Sequence, residues 1–169
     1  MRIVPERPCL SVIVPCYNEQ DTILELLARV KASPWVAEIV VVDDGSTDRS
    51  RELLDDLAAE IDDPLVQVVL QPHNQGKGAA LRTGFARASA DYVLVQDADL
   101  EYSPDDYGVL LHPLEADMAD VVYGSRFLGG RPHRVLYFWH SVGNKMLTVA
   151  SNMFTDLALT DMETCYKAF

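Results

Sequence analysis

The chain has 169 residues, of which 49% are apolar and 24% charged, and a formal net charge of −12 at pH 7. That length fits one domain with a substantial core, and the composition is that of a globular protein rather than a disordered or fibrous one. The acidic balance argues against nucleic acid as a partner, and no apolar stretch reaches the length of a membrane span.

Taken in order, the chain alternates strand and helix. Residues 10–14 form a short apolar run ended by Pro15. Residues 19–30 follow, with Ile23, Leu26, Leu27 and Val30 at helical spacing. Residues 38–42 read as a second buried strand. Ser46 or Thr47 is placed to cap a helix running to about Ala59, with Leu53, Leu54 and Leu57 facing inward. A third strand over 65–70 precedes a helix over 78–88, and a fourth strand occupies 92–95. Pro104 suits a first helical turn, so 104–115 is expected to be helical. A short strand at 121–123 and a helix over 141–157 complete the reading. No repeat, low-complexity segment or domain boundary interrupts it, so residues 1–169 are expected to form a single α/β domain built on a mostly parallel sheet.

Sheets of this kind bind ligands beyond the carboxyl ends of their strands. Every polar cluster in the chain falls at such a place. Pro15, Cys16, Tyr17, Asn18 and Glu19 follow the first strand, and Asp43, Asp44, Gly45, Ser46, Thr47 and Asp48 follow the second. His73 to Gly78 follow the third, and Gln96 to Glu101 the fourth. In an extended backbone Asp97, Asp99 and Glu101 would share a face and converge on one cation. Three hard oxygen ligands suit Mg²⁺ or Mn²⁺ and would leave positions for the oxygens of a diphosphate. The loop holding Gly76 and Lys77 is not a Walker A loop, because no Ser or Thr follows the lysine.

Charge is distributed unevenly. Residues 121–155 contain no Asp or Glu but carry Arg126, Arg131, Arg134 and Lys145, an anion-binding stretch in an acidic chain. Arg126 offers a bidentate fork for phosphate. Arg131 and Arg134 suit solubility as well as a closing loop or lipid headgroups, and His140 and Lys145 are further phosphate candidates. Tyr137, Phe138 and Trp139 are placed to touch a lipid chain or to pack in the core, and core packing is the favoured reading. Cys9, Cys16 and Cys165 are odd in number and lack metal-site spacing, so a reducing cytoplasm is expected. The N-terminus lacks signal-peptide features, and a peripheral position at the inner face of a membrane is the alternative location.

Six segments together resemble glycosyltransferase family 2 and its GT-A fold: PCYNE at 15–19, DDGSTD at 43–48, HNQGKGAALRTG at 73–84, QDADLEY at 96–102, GSRF at 124–127 and TDMETCYKAF at 160–169. They are most similar to the polyprenol-phosphate branch, which includes dolichyl-phosphate mannose and glucose synthases. The resemblance implies that Pro15, Tyr17 and Glu19 hold the base and ribose of a nucleotide-diphosphate sugar, with Asp43 or Asp44 also reaching the nucleoside. It places Gly76, Lys77 and Ala98 near the nucleotide, with Arg82 a further contributor, and makes Asp97 and Asp99 metal ligands. Glu101 stands where family members often carry Gln.

The activity implied is inverting transfer of a hexose from a donor such as UDP-glucose or GDP-mannose to an acceptor, a polyprenyl phosphate or a saccharide. A phosphate monoester, with a second pKa of about 6, brings its own nucleophile. A saccharide hydroxyl needs a base, for which Asp161 and Glu163 are the candidates beside Asp99 and Arg126 as catalytic residues. Members of the family continue past the CYKxF segment, so the chain is read as C-terminally truncated relative to them. A non-catalytic nucleotide-sugar-binding module is the competing class.

Overall fold

The structure, a computed structural model, describes residues 5–60, 64–125 and 138–169. The first apolar run becomes the central strand, β1 (Leu10–Cys16), almost wholly buried because helices cover both faces of the sheet. Parallel to it lie β2 (Val36–Asp43) on one side and, on the other, a strand of residues 92–95. β3 (Val66–Leu70) extends the sheet beyond β2, and the strand on the far side of β1 is β4 (Tyr92–Val95). Two short strands complete the sheet, β5 (Val122–Tyr123) and β6 (Lys167–Ala168), in the order β3-β2-β1-β4-β6-β5.

Strand β6 has no counterpart in the sequence reading. It pairs antiparallel with both β4, through Leu94 and Ala168, and β5. Two residues are too few to show alternation, and the pairing joins segments far apart in the chain. The expected parallel α/β sheet is therefore present with an antiparallel flank.

Five α-helices are described: α1 (Ile23–Lys31), α2 (Ser50–Glu60), α3 (Lys77–Phe85), α4 (Tyr107–Glu115) and α5 (Phe138–Thr155). Residues expected to begin α4 instead form a separate 3₁₀ turn, Pro104–Asp106. Helix α1 starts later than its apolar spacing suggests because Asn18 takes a left-handed φ of 58° and the Glu19 carbonyl accepts the amides of Thr22 and Ile23. At α2 the first-turn amide of Ser50 is bonded by Asp48 (2.9 Å), so Asp48 does the capping expected of Ser46 or Thr47.

Alternation along β1 divides the core. Val12 and Val14 pack with Ile23, Leu26, Leu54, Tyr107 and Leu111 on one face. Ile13 packs with Val40, Val42 and Ala80 under α3 on the other. Each buried Leu or Ile contributes about 2 kcal/mol, so the two-sided core holds β1 in register and leaves the loops at its end to carry function. Trp139, expected in the core, is instead 77% exposed on α5.

Candidate active site

The sheet order reverses at β1, with β2 and β3 to one side and β4 to the other, which makes the carboxyl end of β1 a switch point where the loops part. Hydrogen bonds carry the sheet pattern past the strand ends. The Asp44 amide donates to the Cys16 carbonyl (2.8 Å), the Gln71 amide to Asp43 (2.8 Å) and the Gln96 amide to Ile13 (2.9 Å). The first two loops are then stitched together by side chains. Asn18 Oδ1 accepts the amides of Thr47 (2.8 Å) and Asp48 (3.3 Å), and Ser50 Oγ accepts that of Glu19 (2.8 Å). Asn18 is a scaffold residue to which the sequence reading assigned no role.

Asp44 anchors the third loop. Its carboxylate, 3% exposed with the rest of the residue, accepts the amides of Gln75 and Gly76, each at 2.8 Å. Gly45 lets the loop come this close: its φ is +70°, and a Cβ there would lie 2.5 Å from Asn74 N and the His73 carbonyl carbon. Asp43 is turned away. Its oxygens accept the Ser46 amide and lie 3.6 Å from the Arg51 guanidinium.

Between these loops and the turn after β4 lies a cleft of about 270 Å³, lined by Pro15, Cys16, Tyr17, Glu19, Asp44, Asn74, Gly76, Lys77, Ala80, Asp97, Ala98 and Asp99. It gathers every nucleotide-contact candidate except Asp43; of the acidic pair after β2, Asp44 alone lines its wall. Arg82 does not line it. Cys16, Asn74 and Ala80 line it unforeseen. Burial, with the charges of Asp43 and Glu19 adding to it, pushes the Cys16 thiol up to about 12, so it stays protonated.

The acidic run departs from its expected geometry. Beyond Val95 the chain leaves the extended conformation, and Leu100 adopts a left-handed φ of 61°. The Glu101 amide turns back onto Asp99 Oδ1 (3.0 Å). Alternation therefore fails after the strand: Asp97 and Asp99 reach the cleft, and Glu101 is not among its lining residues. No group of three His, Cys, Asp or Glu side chains among the described residues is arranged to hold a metal ion. Two carboxylates still form a hard-oxygen pair of the kind that binds Mg²⁺ or Mn²⁺ when substrate phosphates and water supply the other positions. Gln96 supports this turn from below, its amide donating to the Asp97 and Tyr102 carbonyls while its oxygen accepts the Tyr107 hydroxyl (3.1 Å).

Lys77 crosses the cleft to Asp97, with Nζ 2.5 Å from Oδ1, and also donates to Cys165 Sγ (3.0 Å). Burial by itself pushes the ammonium down. The hydrogen bonds to Asp97 and Cys165 and the Asp97 charge outweigh it and hold the pKa above its ordinary value. Burial also raises the Cys165 thiol, against the lowering effect of Lys77. Strand β6 delivers Cys165 here, a placement no motif spacing announced.

Two carboxylates expected as bases are elsewhere. Asp161 is buried, accepting from Asn144 Nδ2 (3.2 Å) on α5, and Glu163 is exposed; neither lines the cleft. A carboxylate fixed by a packed amide is built into the fold rather than presented to a substrate. Arg126, Arg131, Arg134 and Tyr137 lie outside the described residues, as does the side chain of His140.

Comparison with known proteins agrees with this construction. The family model for glycosyl transferase family 2 matches residues 11–164. An undecaprenyl-phosphate 4-deoxy-4-formamido-L-arabinose transferase of Pseudomonas fluorescens is 36% identical over 165 residues, 95% of this chain and 46% of its own length. The chain thus spans under half the length of the curated relatives it matches. A mannosyltransferase from Pyrobaculum calidifontis, solved with GDP-Man and Mn²⁺, is 33% identical over 60% of this chain and 31% of that one, with a TM-score of 0.53. Glucosyl-3-phosphoglycerate synthase from Mycobacterium tuberculosis, at 24% identity, matches in fold across 95% of this chain and 56% of that one, with a TM-score of 0.65. With a GT-A sheet, a cleft at its switch point and a family match over nearly its whole length, the chain belongs to glycosyl transferase family 2.

Proposed function

We propose that this chain is the nucleotide-binding, catalytic portion of an inverting glycosyltransferase that moves a sugar from a nucleotide-diphosphate donor to a polyprenyl phosphate. The observation that carries the reading is the convergence of Tyr17, Glu19, Gly76, Lys77, Asp97 and Asp99 on one cleft beyond the strand ends. The names of the relatives support a polyprenyl-phosphate acceptor, and the GDP-Man and Mn²⁺ complex of the Pyrobaculum enzyme supports a nucleotide sugar with a divalent cation.

In this reading Tyr17, 44% exposed at the cleft mouth, offers its ring to the base, and Glu19 accepts ribose hydroxyls. Lys77 transfers its ammonium from Asp97 to the donor phosphates, which releases Asp97 to join Asp99. Those two carboxylates would hold Mg²⁺ or Mn²⁺, whose charge would stabilise the departing nucleoside diphosphate. Arg126 is assigned to a phosphate on the strength of its place in the acid-free stretch of sequence. A dianionic acceptor phosphate attacks the anomeric carbon without a protein base, which agrees with the absence of Asp161 and Glu163 from the cleft lining.

Thermal-shift measurements with UDP and GDP, each with and without Mn²⁺, test the donor half. Binding to the native state raises stability. One diphosphate is expected to stabilise the chain strongly when Mn²⁺ is present, and Asp97→Asn and Asp99→Asn to abolish that gain while the unliganded melting temperature holds. Failure of both nucleotides to bind, or full Mn²⁺-linked binding by both variants, would remove the reading.

A further inference from the structure

The segment that leads into β6 touches two walls of the cleft at once. Burial alternates along it: Thr164, Tyr166 and Ala168 are buried, whereas Cys165 and Lys167 are half-buried. The buried side is fastened to the acidic turn. The Tyr166 ring stacks on Tyr102, with 4.8 Å between centroids and 16° between planes, and its hydroxyl donates to the Ser103 carbonyl (2.7 Å). The hydroxyls of Thr164 and Tyr102 lie 3.4 Å apart, and the Tyr166 carbonyl accepts the Gly124 amide (2.8 Å). Cys165 is thus held from both neighbours, and its sulfur stands 3.0 Å from Lys77 Nζ.

Lys77 is the opposite kind of group. Its ammonium ends a flexible four-carbon stem, its side chain is 43% exposed, and it donates to Asp97 Oδ1 and to Cys165 Sγ. Of these two partners, Asp97 is the one a divalent cation would claim. When Asp97 turns to that cation, the sulfur is the partner left to keep the ammonium from swinging into solvent. The chemistry of a thiol suits the task. A carboxylate at position 165 would trap the ammonium through a charge-assisted hydrogen bond, and an aliphatic side chain would not hold it at all. Sulfur is a weak acceptor, which guides the ammonium and still yields it to a stronger partner. We infer that Cys165 is a positioning residue, a second seat that keeps the Lys77 ammonium in the cleft after Asp97 has let it go. The use of that ammonium at a donor diphosphate rests on the transfer reading; the seat itself does not.

Two measurements test the seat and its consequence. The lysines of the chain are Lys31, Lys77, Lys145 and Lys167, so the Lys77 ammonium can be followed by nitrogen-15 NMR relaxation and assigned by its loss in Lys77→Met. Asp97→Ala removes the first partner without metal or nucleotide. In that variant the Lys77 ammonium is expected to stay ordered, and in Asp97→Ala, Cys165→Val to become as mobile as that of exposed Lys145. Calorimetric titration with UDP and with GDP, in the presence of Mn²⁺, reads the consequence. Cys165→Val, with wild-type circular dichroism, is expected to bind the preferred diphosphate about three- to tenfold more weakly, the loss that follows from freeing one long side chain. Cys165→Ser keeps an acceptor and is expected to hold affinity to within about twofold of wild type. In a Lys77→Met background, Cys165→Val is expected to cost nothing further. Equal Lys77 mobility with and without Cys165 overturns the inference, as does a Cys165→Val loss that persists in the Lys77→Met background. If the wild type binds neither diphosphate, the transfer reading falls alone and ammonium relaxation still decides the seat; diphosphate binding that Cys165→Val leaves unchanged sinks this inference alone.

Discussion

Two acidic turns stand at the ends of the strands that flank β1 on either side, and they use their carboxylates in opposite ways. Asp43 and Asp44, after β2, are almost completely buried, and their oxygens are taken by backbone amides of Ser46, Gln75 and Gly76. Asp97 and Asp99, after β4, face a cleft; one holds a movable lysine and the other a single amide. A carboxylate whose lone pairs are filled by fixed amides is architecture. One whose partner is a flexible ammonium can exchange that partner for a ligand, which is what the proposed donor site requires.

The contrast is sharpened most by the change that should do the most damage. Gly45→Ala sets a Cβ against the backbone of His73 and Asn74 at a left-handed φ, and is expected to cost about 3 kcal/mol, read as a fall in the urea midpoint. Applying one substitution to both turns comes next. Asp44→Asn must point an amide NH₂ at an N–H that now meets an oxygen, with an expected loss of about 2 kcal/mol. Asp99→Asn keeps an oxygen for the Glu101 amide and is expected to change stability by less than about 0.5 kcal/mol. Equal losses at the two positions would erase the distinction between building and binding carboxylates.

The smallest effect is a pH dependence. The raised Lys77 pKa means that the folded state holds this proton more tightly than the unfolded chain. Its contribution is therefore complete below the ordinary lysine value of 10.5 and is lost as pH rises through the higher folded value. Chemical denaturation across the alkaline range should show a decline that Lys77→Met lacks. The lysine is partly exposed, so the decline is expected to be slight.

The legibility of these features in the sequence follows the reach of their causes. Strands β1 to β4 and helix α1 were readable because periodicity and apolar runs are local, and the binding rim followed from one topological rule applied to four loops. Asp97 and Asp99 share the cleft although the strand already ends at Val95, and Glu101 is absent from its lining because the turn that follows, with Leu100 left-handed, does not continue the strand's alternation. Strand β6, the Lys77–Cys165 contact and the binding of Asp161 by Asn144 depend on pairings between distant segments, which no local pattern encodes. The preference for Trp139 in the core failed for another reason. The spacing of α5 is that of an amphipathic helix, and spacing says which residues share a side without saying which side faces the protein.

Strand β6 also ties the site to the longest-range pairing in the sheet. The four parallel strands lie within the first 95 residues and can pair while the rest of the chain is still being synthesised. Among the described residues β5 pairs in the sheet with β6 alone, and β6 must bring Ala168 beside Leu94 across a long stretch of chain. Closing such a loop carries an entropic cost that local contacts do not share. Lys77 meets its sulfur partner across 88 residues of chain. The cationic wall of the cleft is thus completed only when the Cys165 segment, which leads into β6, is seated beside β4, so site and sheet edge depend on one long-range contact.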